Sequence, residues 1–360
     1  MSKHRNFLLY PVSLIYKTIT DFRNYLYDKK ILSSTKYPIP IICVGNITRD
    51  GTGKTPHVEY IINILQKQFK VAVLCKGYKR ASSGFRVVTA LSTVGEANDE
   101  TLQIARKFTA VLVTVDKNRK HGIKKIIKNY PETEVILLVD AFQQRQITFG
   151  LSVLLSDYGR LMIHDSILPY GNLREDVTNI NRADIIIITK SPEEICPLQQ
   201  RFITEDICKT TNQNLFFTTI KYRIPKLLLK TTNLLPPPNF SNRTGVVLVT
   251  GIENPLPFKE FIDTIAGIVV HLQYPNHYKY KKIDMVKIEK SFQQLHSPVK
   301  YIITTEKDSE KLKVLMNNNP LKNSVYYFPI GIEFLHDTKN GFDKLITNYV
   351  KKNIQNKLVL

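Results

Sequence analysis

Val44-Gly45-Asn46-Ile47-Thr48-Arg49-Asp50-Gly51-Thr52-Gly53-Lys54-Thr55 is the stretch that decides the fold. An apolar run, Ile39–Gly45, leads into it and reads as a buried strand. The residues from Lys54 to about Gln68 read as a helix. Gly53-Lys54-Thr55 is the distal half of a phosphate-binding P-loop, and a strand before it with a helix after it is the context that motif requires. Gly51 and Gly53 free the backbone N–H groups to face phosphate oxygens, and the helix N-terminus adds positive potential. Lys54 can reach the outer phosphates, and the Thr55 hydroxyl can ligate Mg²⁺. Thr48 stands where the motif's first glycine usually stands. The loop Thr48, Arg49, Asp50, Gly51, Thr52, Gly53, Lys54, Thr55 is therefore expected to bind a nucleotide.

Outward from the loop, Val/Ile/Leu runs alternate with helical stretches. Strands are expected at Val71–Lys76, Ala110–Val115, Val135–Asp140, Leu151–Ser156 and Ala183–Lys190, with helices over 99–108 and about 118–129. Continuous apolar runs between helices imply parallel strands covered on both faces. The fold class is α/β, a P-loop NTPase-like, doubly wound, mostly parallel sheet. Pro236-Pro237-Pro238 can continue neither a helix nor a central strand and marks a break. Beyond it, Gly245–Thr250, Ile268–Leu272, Tyr301–Thr305 and Val325–Phe328 predict a second, smaller α/β domain, closed by an amphipathic helix over 342–360. The expected division is 1–35 for an N-terminal helix, 36–235 for the P-loop domain and 236–360 for the smaller one.

With 43% apolar and 23% charged residues, wholesale disorder is excluded. Lys and Arg number 51 against 31 Asp and Glu, a net charge of +20 over 360 residues. That surface suits an anionic partner: nucleic acid, an anionic bilayer or a phosphorylated substrate. The four cysteines form no C-x-x-C pair; Cys43 and Cys75 read as small core residues.

The N-terminus carries a greasy segment: Phe7, Leu8, Leu9, Tyr10, Val12, Leu14, Ile15, Tyr16 and Ile19. Residues 1–40 hold seven Lys and Arg against Asp21 and Asp28, a net of +5. Two placements are open for this segment: lying in a membrane interface, or packed on the protein's own core. It is too short and too interrupted for a standard spanning helix.

Taken together, the chain resembles the tetraacyldisaccharide 4'-kinase family. Tyr10-Pro11-Val12-Ser13 with Arg23-Asn24, the loop itself, Lys76-Gly77-Tyr78 and Asp99-Glu100 resemble family segments. So do Lys117-Asn118-Arg119, Asp140-Ala141-Phe142-Gln143 and Leu168-Pro169-Tyr170-Gly171-Asn172-Leu173-Arg174-Glu175. Gly251-Ile252-Glu253-Asn254-Pro255, Tyr274-Pro275-Asn276-His277 and Thr304-Thr305-Glu306-Lys307-Asp308 follow in the family order.

The resemblance implies an ATP- and Mg²⁺-dependent kinase acting on the 4'-hydroxyl of a lipid disaccharide 1-phosphate in lipid A biosynthesis. It implies a place at the cytoplasmic face of the bacterial inner membrane, peripheral or monotopic. It also implies roles: Lys54 at the phosphates, Asp99 as base assisted by His277, and Thr55, Asp140 and Glu175 at the metal. Arg119 and Arg174 are candidate phosphate binders, since a guanidinium pairs bidentately with phosphate.

The sequence departs from the family at Val139 and Gln144, where an acid and a His are usual, and at Asn276, where an Asp is usual. Two rival readings are a P-loop NTPase acting on nucleic acid and a membrane-docked nucleotide binder with weak or no kinase activity. No nucleic-acid recognition module supports the first. The missing acid at Val139 and the missing His at Gln144 are what admit the second.

Overall fold

The computed structural model describes residues 7–49, 51–77, 80, 82–93, 95–208, 213–229, 238–276, 278–317 and 319–358. Asp50, Tyr78, Pro236, Pro237 and His277 lie outside them.

The larger sheet begins with β1 (Ile41–Gly45), β2 (Val71–Cys75), β3 (Arg86–Val88), β4 (Leu112–Val115) and β5 (Val135–Val139). It continues with β6 (Leu151–Asp157), β7 (Ile185–Thr189) and β8 (Asn214–Tyr222). The smaller sheet holds β9 (Lys226–Leu227), β10 (Thr244–Thr250), β11 (Ile268–Gln273), β12 (Val299–Thr305) and β13 (Val325–Phe328). The last strand, β14 (Ile330–Phe334), pairs antiparallel with β8 and so returns to the larger sheet.

The nine-stranded sheet runs β14-β8-β7-β6-β1-β5-β2-β4-β3, and the strands from β8 to β4 are all parallel. The five-stranded sheet runs β11-β10-β12-β13-β9.

The helices are α1 (Tyr10–Asp28), α2 (Lys54–Leu65), α3 (Asp99–Lys107), α4 (Arg119–Asn129), α5 (Pro197–Ile207), α6 (Leu256–Ile265), α7 (Lys282–Gln294), α8 (Glu306–Met316) and α9 (Lys339–Leu358). Both faces of the larger sheet are covered. Ile42 and Val44 point into one apolar cluster shared with α2, α3 and α9; Ile41 and Cys43 point into the other, shared with α4 and α5. Alternation along one strand thus feeds two cores.

Residues 330–334 and 339–358, which the sequence pattern places with the smaller unit, lie on the larger sheet instead. The reason is visible in α9. Phe342, Ile346 and Val350 recur at helical spacing and are at most 1% exposed. Each such side chain is worth about 1.5–3 kcal/mol when buried.

Helix α1 is turned inside out relative to an ordinary surface helix. Its polar side faces the protein: Ser13 Oγ donates to Ile167 O at 3.1 Å, Tyr16 Oη to Arg174 O at 3.1 Å, and Arg23 to Gln143 O at 3.1 Å. Asn24 Nδ2 donates to Asn179 Oδ1 at 3.1 Å, and Lys17 pairs with Asp176. Its apolar side is bare: Val12, Ile15, Ile19 and Phe22 are all at least half exposed, and Phe7 and Leu8 before them more so. No helix among the described residues is long and apolar enough to cross a membrane.

Candidate active site

The phosphate loop leaves β1 at the carboxyl edge of the sheet, where doubly wound folds place their ligands. Gly51 (φ 90°) and Gly53 (φ 77°) adopt the left-handed backbone that only glycine takes without strain, and Gly53 caps α2. Asn46 organises the turn: its Nδ2 donates to Arg49 O at 2.8 Å and Thr48 Oγ1 at 3.2 Å, while its Oδ1 accepts from Lys54 Nζ at 3.2 Å. The loop's first limb is held from outside. Arg49 N donates to Asn172 O at 2.9 Å, and Arg174 N donates to Ile47 O at 2.6 Å. The Leu168–Glu175 segment therefore pairs with the loop and carries Arg174 into the site.

Asp140 follows β5 with φ 53°, an uncommon value for a residue with a side chain, and such strain concentrates at functional positions. Its carboxylate lies 3.5 Å from Lys54 Nζ and accepts from Arg174 Nη1 at 3.0 and 3.1 Å. Burial alone would push this carboxyl up; Lys54 and Arg174 outweigh it and hold Asp140 below the usual carboxylate range. Arg119, by contrast, is 2% exposed and donates to Leu74 O at 3.3 Å and Val139 O at 2.5 Å. It ties the ends of β2 and β5 together beneath the site. Val139 points into the core, 7% exposed, so the place of a second acid is filled by packing.

Three side chains brace the loop from behind. Thr189 Oγ1 donates to Thr52 O at 3.0 Å, and Lys190, after β7, donates to Gly51 O and to Asp157 Oδ2 at 2.6 Å. His57 sits 1% exposed under α2, with Nδ1 2.7 Å from Gly53 O and Nε2 2.9 Å from Thr218 Oγ1. A carbonyl only accepts, so Nδ1 carries the proton and Nε2 accepts from the threonine. Burial lowers His57 to about 4, against a smaller upward pull from Gly53. Asn46, His57 and Lys190 are missing from the sequence-derived site. Asn46 and His57 stand within or beside the quoted motif, and Lys190 stands, like Asp140, one residue past an apolar strand.

A cleft of about 590 Å³ opens between the two sheets. Gly51, Gly53, Lys54 and Thr55 line one wall, and Glu253, Asn276, Thr305 and Lys307 line the facing one. Asp99 is the first residue of α3, 4% exposed, and Lys311 of α8 lies 3.5 Å from its Oδ2. His277, its expected partner, lies outside the described residues. Glu175 faces the other way: it is 2% exposed and pairs with Arg182 beneath α1, with Arg23 and Arg145 nearby. Burial raises its carboxyl, and these arginines oppose the rise. The structure thus gathers Thr48, Lys54, Asp140 and Arg174, and places Arg119 and Glu175 in supporting contacts.

Among the described residues no group of three or more His, Cys, Asp or Glu could hold a metal. Mg²⁺ does not need such a group, since it is commonly held by one or two carboxylates together with substrate phosphates. Asp140 would supply the carboxylate and Thr55 the hydroxyl. The buried Thr52 Oγ1 has no hydrogen-bond partner, in a loop whose backbone suits phosphate.

The family model described as Tetraacyldisaccharide-1-P 4'-kinase matches residues 5–351. A tetraacyldisaccharide 4'-kinase of Bacteroides thetaiotaomicron is 39% identical over 360 residues, covering 97% of this chain and 94% of its own. That of Phocaeicola vulgatus is 40% identical over 351 residues, covering 97% and 96%. The crystal structure of an "apo" form of LpxK from Aquifex aeolicus in complex with ATP superposes with a TM-score of 0.73 at 26% identity, covering 95% of this chain and 98% of that one. A family match across nearly the whole chain, on a sheet edge built around a phosphate loop, places this chain in the tetraacyldisaccharide 4'-kinase family.

Proposed function

We propose that this chain transfers the γ-phosphate of ATP to the 4'-hydroxyl of tetraacyldisaccharide 1-phosphate, a step of lipid A biosynthesis. The observation that carries the reading is the contact of Lys54 and Arg174 with Asp140 at the mouth of the phosphate loop, within a chain of this family. Lys54 and the loop amides cradle the β- and γ-phosphates, and Arg174 offers a second cation to the transferred group. When bound, Mg²⁺ neutralises phosphate charge, held by the Asp140 carboxylate and the Thr55 hydroxyl.

Asp99 takes the acceptor's hydroxyl proton as its oxygen bonds to the γ-phosphorus; the bond to the bridging oxygen breaks and ADP leaves with the electron pair. Here Asp99 acts as base, and the family resemblance assigns His277 as its assistant. Arg119 acts by holding the sheet edge, and Glu175 by seating α1.

The bare side of α1 is the membrane-facing surface. Its exposed aliphatic and aromatic residues enter the interface, and the flanking Arg and Lys meet anionic headgroups. This puts the enzyme, as a peripheral or monotopic protein, at the cytoplasmic face of the bacterial inner membrane, where acceptor and ATP meet. Large exposed apolar patches of this kind mark binding surfaces. The net charge of +20 serves the same surface, and a nucleic-acid role has no module to support it.

The test is phosphate transfer. Purified protein with Mg-ATP labelled at the γ-position and detergent-dispersed acceptor should yield the labelled 4'-phosphate, with Lys54→Ala lower by on the order of 10²-fold. Transfer no greater than that of Lys54→Ala would refute the reading.

A further inference from the structure

The smaller unit meets α3 through charge. Lys311 Nζ lies 3.5 Å from Asp99 Oδ2, and Lys307 Nζ 3.1 Å from Glu100 Oε1. Lys107 Nζ lies 3.1 Å from Glu306 Oε1 and 2.6 Å from Glu59 Oε2, and Arg106 pairs with Glu310. These are interhelix pairs between α3 and α8, with Glu59 joining from α2. Ion pairs form and separate with the approach of the helices, so the seam assembles only when the two units are together.

One pair differs from the rest. Asp99 and Lys311 are both almost fully covered, their side chains 5% and 8% exposed. Lys311 is itself fixed, 3.0 Å from Asp308 Oδ1. Asp308 is wholly buried, and its other oxygen accepts from Gly251 N at 2.7 Å and Thr305 Oγ1 at 2.8 Å. The ammonium therefore has a defined position and is not a mobile surface charge. Charged groups near Asp99 include Lys311, Lys307 and Asp308 from α8 and Glu100 from its own helix.

Burial penalises an ionised carboxylate, and a protonated one cannot accept a proton. An ammonium delivered by the facing unit meets that need. We propose that Lys311 is a positioning residue for Asp99, keeping its carboxylate ionised and oriented when the smaller unit is seated on α3. The proposal rests on the reading of Asp99 as the base. It adds a consequence: Lys311 reaches the base only in the assembled arrangement.

The experiment compares pH–rate profiles for acceptor phosphorylation by the full chain and by Asp99→Asn, Lys311→Met, Lys311→Gln and Lys311→Arg. Lys311→Met should lower kcat by about tenfold near pH 7 and leave KM for ATP within about twofold. It should also move the acidic limb up by about one pH unit, because a carboxylate that loses a nearby cation binds its proton more tightly. Lys311→Gln should do the same if the methionine variant does not fold, and Lys311→Arg should restore the wild-type limb.

Asp99→Asn should lose on the order of 10²–10⁴-fold in rate. If it keeps most of its rate, the base reading fails and the role of Lys311 falls with it. If it is dead while the neutral Lys311 variants keep the wild-type profile, the Lys311 proposal alone is overturned.

Discussion

Arg174 grips Asp140 with one nitrogen, Nη1, placed 3.0 and 3.1 Å from the two carboxylate oxygens. With Lys54 3.5 Å away, the carboxylate has cations on two sides, and these hold it below the usual carboxylate range against the opposing effect of burial. Asp140 therefore stays ionised through mildly acid pH. On the proposed assignment, a bound Mg-nucleotide would replace part of that compensation, since the same oxygens would then serve the metal. Asp140→Asn should abolish most Mg²⁺-dependent transfer, by on the order of 10²-fold. Nucleotide binding without metal should weaken far less. Isothermal titration with ATP in EDTA and in Mg²⁺ checks this; equal losses in both would contradict the assignment of Asp140 to the metal.

His57 gives a pH dependence of stability with a definite sign. Its folded-state value of about 4 lies below the ordinary 6.5 of an exposed histidine, because burial penalises the imidazolium. Between those values the unfolded chain binds more protons than the folded one. The contribution is thus complete above about pH 6.5 and is lost as pH falls toward 4, amounting to on the order of 3 kcal/mol in all. Carboxylates also weaken the protein in acid, so the comparison must be between variants. His57→Gln should show a shallower loss of urea stability from pH 7 to pH 4.5 than the wild type. Parallel slopes would show that the buried neutral imidazole is not the source.

Ile15 and Ile19 are each 63% exposed, on the apolar side of α1. Exchanging both for Asp disturbs little buried packing, so the thermal midpoint should stay within about 2 °C. Binding to anionic vesicles should fall by about tenfold or more, since apolar burial and headgroup attraction are both reduced. Cosedimentation at matched protein concentration measures it. Undiminished binding by the double variant would place the membrane surface elsewhere.

The sheet was readable in the sequence wherever the strands are buried on both faces. β1, β2, β5, β6 and β7 are runs rich in Ile, Val and Leu, and their bounds in the structure lie within two residues of the expected ones. The pair β8 and β14 was not readable. Asn-Leu-Phe-Phe-Thr-Thr-Ile-Lys-Tyr mixes polar and apolar residues because part of it is half exposed, and β14 lies far along the chain behind the whole smaller unit. The phosphate loop was legible as a local motif of fixed spacing.

The contacts that tune the site were not legible, because they cross long stretches of chain. Lys311 reaches Asp99 over 212 positions, and Thr218 reaches His57 over 161. Glu175 shows the same limit in reverse. Its place beside Arg174 directs it toward the phosphates in a linear reading, but the two side chains point to opposite sides of one segment: Arg174 to Asp140, Glu175 to Arg182.

The path of the chain at β8 and β14 carries one more consequence. Tyr222 stands opposite Ile330, and Arg223 N bonds Pro329 O at 2.8 Å, so the exit and the return lie side by side. Everything between, from residue 224 to residue 328, is an excursion from a single hairpin stem. Joined there by a two-residue turn, the remaining chain would keep its β8–β14 register and its C-terminal helix. The nucleotide-binding half is in this sense a separable chassis, and the excursion is a cartridge that could be exchanged without re-threading the sheet.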